Sequence, residues 1–86
     1  MATVRVVFFA HLREMVQMEN TSVAIVDLET STIASLMEHL MATIPSFKTY
    51  YQTNAILTAL NQQMSNIDAT IQAGDEVALF PPVTGG

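Results

Sequence analysis

The sequence contains few side chains that could carry out a reaction. It has no cysteine, which excludes disulfides, thiolate catalysis, thiolate-bound zinc and a persulfide carried on a side chain. The two histidines, His11 and His39, show no ligand spacing to other residues, and His39 lies on the polar side of a predicted helix beside Glu38. Because a metal site needs three or four converging ligands, the sequence predicts no metal site.

The acidic residues give no sign of a catalytic pair. They cluster as Asp27 with Glu29 and as Asp75 with Glu76, where neighbours alternate faces or lie in a turn, so solvated charges are predicted. A general acid–base pair would also need a cleft that shifts the pKa values of its carboxyl groups. The sequence has neither a glycine-rich phosphate loop nor a nucleophile elbow. We therefore expect no catalysis by this chain alone and no cofactor bound to it.

The last six residues, Pro81–Gly86, have a composition suited to a segment that enters a narrow binding site. Proline fixes φ and lacks an N–H, which gives the segment a stiff root, whereas glycine has no Cβ and permits close approach. At about 3.3 Å per extended residue, the segment could reach on the order of 20 Å. The alternative is an inert terminus, since chain ends are commonly disordered.

The carboxylate of Gly86 is the reactive group that remains once the side chains are excluded. Conversion to an acyl-adenylate would provide a good leaving group, and a sulfur nucleophile could then displace AMP. The product would be a thiocarboxylate on Gly86, whose sulfur could be passed on. Such a carrier needs no cysteine, but it depends on a partner for ATP-dependent activation.

Composition narrows the class of protein further. A chain of 86 residues with 50% hydrophobic and 13% charged residues predicts one ordered domain. The net charge is −5 and the only lysines and arginines are Arg5, Arg13 and Lys48, so neither nucleic acid nor an anionic membrane is an expected partner. The apolar run Val4–Ala10 is too short to span a bilayer and lacks a basic flank, so we expect a cytoplasmic protein.

Periodicity predicts strands gathered around one main helix, which favours an α+β roll. An apolar stripe from Ile33 to Ile44 predicts this helix, with Thr32 as its N-cap and Pro45 as its end. Residues 1–80 are assigned to the domain and 81–86 to a flexible tail. The remaining predictions are strands at Val4–Phe9, Ser22–Leu28, Ala55–Leu60 and Glu76–Phe80, a short helix at Ala10–Met18, a loop at Ser46–Asn54, a turn at Gly74-Asp75 and a short strand near Met64 or Ile67.

Strand alternation predicts an apolar patch at the root of the tail. If Val4, Val6 and Phe8 face the helix, their neighbours face the other side of the sheet. If the first and last strands are also adjacent, one exposed surface collects the four residues Val7, Phe9, Ala78 and Phe80. Such a surface is typical of a docking site, unless the long loop covers it.

The terminal motif FPPVTGG (Phe80–Gly86), preceded by GDEVAL (Gly74–Leu79), closely resembles the small-subunit family of molybdopterin synthases. The segments VVFFAHLRE (Val6–Glu14), TIASLMEHLMATIP (Thr32–Pro45) and ALNQ (Ala59–Gln62) also look like that family, in the same order. The resemblance covers nearly the whole chain, and its most specific part is the terminal motif.

The resemblance implies a ubiquitin-like β-grasp fold and a role as sulfur carrier in molybdenum cofactor biosynthesis. An ATP-using adenylyltransferase related to ubiquitin-activating enzymes would activate the terminus, and a sulfur relay would make the thiocarboxylate. The carrier would then insert its tail into the synthase large subunit, in a complex of two small and two large subunits. The residues implied are Gly86 as the thiocarboxylate site, Gly85 before it, Phe9, Met64 and Phe80 as docking residues, and Pro81, Pro82, Val83 and Thr84 as the inserted tail.

Three alternatives remain open from the sequence. A sulfur carrier for thiamine biosynthesis or tRNA thiolation would share the diglycine end, although such relatives usually lack the Pro81-Pro82 pair. A ubiquitin-like modifier would instead form isopeptide bonds with lysines, and a plain interaction domain would not need Gly86 at all. The sequence departs from the resembled family at His11 and Ser35, and neither position touches the tail.

Overall fold

A computed structural model of the chain describes residues 2–82, so Val83, Thr84, Gly85 and Gly86 lie outside the described residues. Within 2–82 the chain forms a five-stranded sheet and three α-helices. The elements are β1 (Thr3–Phe8), α1 (Ala10–Val16), β2 (Asn20–Ala24), a 3₁₀ turn (Ile25–Asp27), α2 (Ile33–Thr43), α3 (Pro45–Thr53), β3 (Leu57–Leu60), β4 (Gln63–Ser65) and β5 (Glu76–Phe80).

The sheet is mixed, as the predicted α+β roll requires. Its strand order is β2-β1-β5-β3-β4. β1 and β5 pair in parallel, from Arg5 opposite Glu76 to Phe8 opposite Leu79. The pairs β1–β2, β3–β5 and β3–β4 are antiparallel. The first and last strands are therefore neighbours at the centre of the sheet, and both point toward the end where the tail leaves.

The core lies between the inner face of the sheet and the helices. Alternation within β1 and β5 buries every second residue, as expected for strands with one covered face. α2 contributes its apolar stripe, and the Thr32 hydroxyl accepts a hydrogen bond from the Ser35 N–H (3.3 Å), which confirms the predicted N-cap. The core residues of these elements are Val4, Val6, Phe8, Val77, Leu79, Ile33, Leu36, Met37 and Leu40.

The loop predicted at Ser46–Asn54 is wrong, because this segment is helix α3. Pro45 does end α2, and Ile44 is extended there (φ −124°, ψ 97°). However, Pro45 also occupies the start of α3, where its fixed φ suits a helix and its missing N–H is not needed. Phe47 and Tyr50 are buried at helical spacing, and the Phe47 ring meets that of Phe8 edge to face at 6.3 Å.

Four predicted elements have different bounds in the structure. The first strand, predicted at Val4–Phe9, is Thr3–Phe8. The first helix ends at Val16 rather than Met18, because Gln17 adopts a left-handed conformation (φ 58°). The second strand begins earlier than predicted, at Asn20, and ends at Ala24, after which the chain forms the 3₁₀ turn. The third strand begins at Leu57 rather than Ala55. The short strand predicted near Met64 is confirmed as β4.

Asp75 holds the start of β5 in place, so it is more than the predicted solvated charge. Its carboxylate accepts hydrogen bonds from the Gln72 N–H (2.8 Å) and the Asn61 amide (3.1 Å). Asn61 in turn accepts a hydrogen bond from the Glu76 N–H (3.0 Å). The predicted turn is present, with Gly74 at φ 88°, a conformation that favours glycine. These contacts tie the β3–β4 turn to β5 and so set the register of the strand that leads into the tail.

Candidate docking face

One row of apolar residues crosses the outer face of the sheet, on the side away from the helices. Val7 of β1 pairs with Ala78 of β5, Ala78 with Ala59 of β3, and Ala59 with Met64 of β4. Directly paired residues of neighbouring strands point to the same face. Because Val6 and Val77 beside them face the core, the row from Val7 to Met64 points outward.

A second row lies closer to the point where the chain leaves β5. Leu57 pairs with Phe80, on the same face as Ala78. Phe9 follows β1 with an extended backbone (φ −129°, ψ 156°), and its N–H donates to the Leu79 carbonyl (3.1 Å). Phe9 is 45% exposed and Leu57 is 37% exposed. We call the two rows together the outer face, and its residues are Val7, Phe9, Leu57, Ala59, Met64, Ala78 and Phe80.

The outer face is separate from the hydrophobic core. None of its residues belongs to the core cluster, and its partly buried residues Val7, Ala78 and Phe80 do not pack against that cluster. This holds even for Ala59, which is only 7% exposed and lies on β3, between β5 and β4 in the sheet. The segment predicted as a loop, Ser46–Asn54, does not cover this face, because it forms α3 and packs through Phe47 on the opposite side of the sheet.

The apolar residues concentrate at the tail end of the outer face. At the other end, the exposed Arg5 pairs with the half-buried Glu76, so charged groups mark that boundary. Pro81, partly buried, and Pro82, exposed, follow directly after Phe80. The structure thus brings Phe9, Met64 and Phe80 onto one surface beside the tail root. The docking role of these residues stays a prediction, as does the division into residues 1–80 and 81–86.

Leu57 and Ala59 are outer-face residues that the sequence interpretation missed. Their segment, AILTAL, was assigned to a strand without assigning its faces. The signal was present in the alternation, since Thr58 and Leu60 face inward and Leu57 and Ala59 face outward. The pairing of β3 with β5 could not be predicted, because β4 and a long connection separate those strands in the sequence.

The helix side of the molecule offers little chemistry. An open hollow of about 320 Å³ lies between α1 and α3, lined by His11, Glu14, Met15, Tyr50 and Asn54. Within residues 2–82, no three histidine or acidic side chains converge as metal ligands. No helix in that part of the chain combines the length and apolarity needed to cross a bilayer.

A family model and a curated relative match almost the whole chain. The ThiS family model matches residues 6–86. The molybdopterin synthase sulfur carrier subunit of Escherichia coli (strain K12) is 37% identical over 83 residues, which is 96% of this chain and 99% of the relative. Both matches extend over the elements that build the outer face, and the family match runs through Gly86.

Solved structures share the fold at lower identity. SAMP1 from Haloferax volcanii superposes with a TM-score of 0.80 at 24% identity, covering 98% of this chain and 99% of that one. A chain in the complex of subunits 1 and 2 of the molybdopterin-converting factor from Helicobacter pylori 26695 gives a TM-score of 0.66 at 24% identity, covering 98% of this chain and 99% of that one. The ubiquitin-like β-grasp fold that the sequence resemblance implies is confirmed.

Proposed function

This chain belongs to the ThiS family, and from that premise we propose that it is the sulfur carrier subunit of a molybdopterin synthase, with its sulfur held on the carboxyl group of Gly86. The main support for the proposal is that the family match extends over residues 6–86 and so includes the terminal diglycine. The sulfur carrier relative from Escherichia coli supports the same assignment over nearly the full length of both chains. The chain is a carrier rather than an enzyme in its own right.

The proposed chemistry occurs in two steps at Gly86. A carboxylate oxygen attacks the α-phosphate of ATP in the active site of an adenylating enzyme, and pyrophosphate leaves. A sulfide-level nucleophile such as hydrosulfide then attacks the acyl carbon, AMP leaves, and a thiocarboxylate remains. This chain contributes the carboxylate and the surface that positions it, and we place ATP on the adenylating partner. Because activation consumes ATP, we also place the carrier in the cytoplasm.

The outer face is the proposed docking surface for the synthase large subunit. The related structure from Helicobacter pylori is a complex of the two subunits of the molybdopterin-converting factor. Docking through the outer face would direct Pro81, Pro82 and the residues after them into the partner, since β5 ends at the edge of this surface. We propose that two small and two large subunits form the complete complex.

A substitution at Leu57 tests whether the outer face is the docking surface. We expect Leu57→Lys to raise the Kd for the large subunit by about 10- to 100-fold, because a charge would replace an apolar contact inside the interface. The change is measured by calorimetric titration of the large subunit. Val26→Lys is the matched control: Val26 is 85% exposed and follows β2 at the end of the sheet opposite the tail. Equal affinity of the Leu57→Lys variant and the wild-type chain would contradict the proposed surface.

The sulfur-carrying role is tested by intact-mass measurement. The chain is incubated with the adenylating enzyme, ATP and a sulfur donor, and we expect the terminal carboxylate to exchange one oxygen for sulfur. Fragmentation should place the exchange at Gly86. Omission of ATP is the control and should leave the mass unchanged. A terminus that stays a carboxylate while the same reagents convert the Escherichia coli carrier would refute the assignment.

A further inference from the structure

We propose that the Met64 thioether is an oxidation site, and that its conversion to the sulfoxide by a peroxide weakens docking of the outer face. The inference rests on the proposed function, because it takes the outer face as the surface that binds the large subunit. It adds a modification site and a means of regulation to that surface.

Met64 is the most exposed methionine within residues 2–82. Its exposed fraction is 64%, compared with 48% for Met15 and 2% for Met37. Met18 and Met41 are half-buried and pack against the core. Since oxidation of a thioether requires approach of the oxidant to sulfur, exposure predicts the order of reactivity.

The position of Met64 in the sheet explains its exposure. It is the central residue of β4, which is only three residues long and forms one edge of the sheet. Its direct partner on β3 is Ala59, whose methyl group is too short to cover the sulfur. The backbone of Met64 is held by the ladder to β3, while its side chain stands open to solvent in the free carrier.

The reaction needs only a peroxide. The sulfur attacks one peroxide oxygen, the O–O bond breaks, and the sulfur–oxygen bond of the sulfoxide forms. With hydrogen peroxide the other oxygen leaves as water after proton transfer. The sulfur is oxidised by two electrons and the peroxide is reduced by two, so no further reactant is required.

The product changes the outer face from apolar to polar at one position. A sulfoxide is a strong hydrogen-bond acceptor, and burying it among Leu57, Ala59 and Phe80 would leave it without a donor from these side chains. We expect the Kd for the large subunit to rise by about tenfold, as for other unpaired polar groups buried at interfaces. Folding should be unaffected, because Met64 takes no part in the core cluster.

The first measurement concerns reactivity. The full-length chain in its carboxylate form, which excludes reaction at a thiocarboxylate, is treated with hydrogen peroxide, and sulfoxides are located by peptide mass mapping. Among the methionines of residues 2–82, Met64 is expected to oxidise first, Met15 next and Met37 last. Binding of the large subunit beforehand should slow oxidation of Met64 and not of Met15. Oxidation of Met64 no faster than that of Met37 would overturn the proposal.

The second measurement concerns docking. Kd values for the cognate large subunit are compared before and after peroxide treatment for the wild-type chain, Met64→Leu and Met15→Leu, each relative to its own untreated sample. We expect about a tenfold loss for wild type and Met15→Leu and no change for Met64→Leu. Equal affinity of oxidised and untreated wild-type chains would overturn the inference alone. Failure of the untreated wild-type chain to bind would instead refute the proposed function beneath it.

Discussion

Deletion of Gly86 is expected to abolish sulfur transfer while the domain stays folded. The new terminus would be Gly85, and its carboxylate would lie about 3.3 Å short of the original position along an extended chain. In an active site, a misplacement of about 1 Å can cost about 100-fold in rate. We therefore expect the rate of sulfur transfer to fall by more than about 100-fold and to approach the background without carrier.

Stability and docking separate this effect from unfolding. Glycine carries no side chain, so the deletion removes no packed side chain, and within residues 2–82 the last core residue is Leu79 in β5. The free energy of unfolding should stay within about 0.5 kcal/mol of wild type. Affinity for the large subunit should be largely retained, because the outer face is unchanged.

The assay follows the two chemical steps separately. Intact mass reports whether the shortened terminus becomes a thiocarboxylate, and turnover with the large subunit and the pterin precursor reports transfer. Loss at either step with docking preserved supports the carrier role of Gly86. A shortened chain that still supports turnover at the wild-type rate would show that the terminus is inert, as in a plain interaction domain.

The proposal of a reactive group follows from the sequence by exclusion. The absence of cysteine and the scattered histidines and acids left the Gly86 carboxylate as the candidate, without any knowledge of the fold. The outer face could be predicted only in part. Phe9 and Phe80 follow from alternation along single strands, whereas Leu57 and Ala59 depend on the pairing of β3 with β5. Such long-range pairing is set by tertiary packing, which local periodicity does not encode.

The helices also show that local periodicity predicts only part of the structure. α2 was predictable because its stripe runs over three turns and carries a capping threonine. α3 was missed because Pro45 was interpreted only as the end of one helix, although proline is equally suited to begin the next. The residues between Phe47 and Tyr50 are polar, so the helical spacing of the two buried rings was not recognised. Only contact with Phe8 reveals why this segment is helical.

Phe47→Ala is expected to cost about 3–5 kcal/mol of unfolding free energy, the range observed for truncation of a fully buried phenylalanine. The side chain is 0% exposed, and its ring contacts those of Phe8 at 6.3 Å and Tyr51 at 5.8 Å. Small domains have total stabilities of about 5–15 kcal/mol. The variant should therefore unfold at a much lower urea concentration, and a marginally stable chain could lose its fold.

Lys48→Ala is the control within the same helix. Lys48 is exposed and lies outside the core, and alanine is at least as good a helix former, so a change below about 0.5 kcal/mol is expected. The contrast between adjacent positions distinguishes a packed helix from the loop that was predicted because the segment lacks a clear period, in which both substitutions would have small effects. A cost below about 1 kcal/mol for Phe47→Ala would contradict the packing of α3 on the sheet. Under conditions where the variant is folded, its affinity for the large subunit per folded molecule should match wild type, because α3 packs on the face of the sheet opposite the proposed docking face.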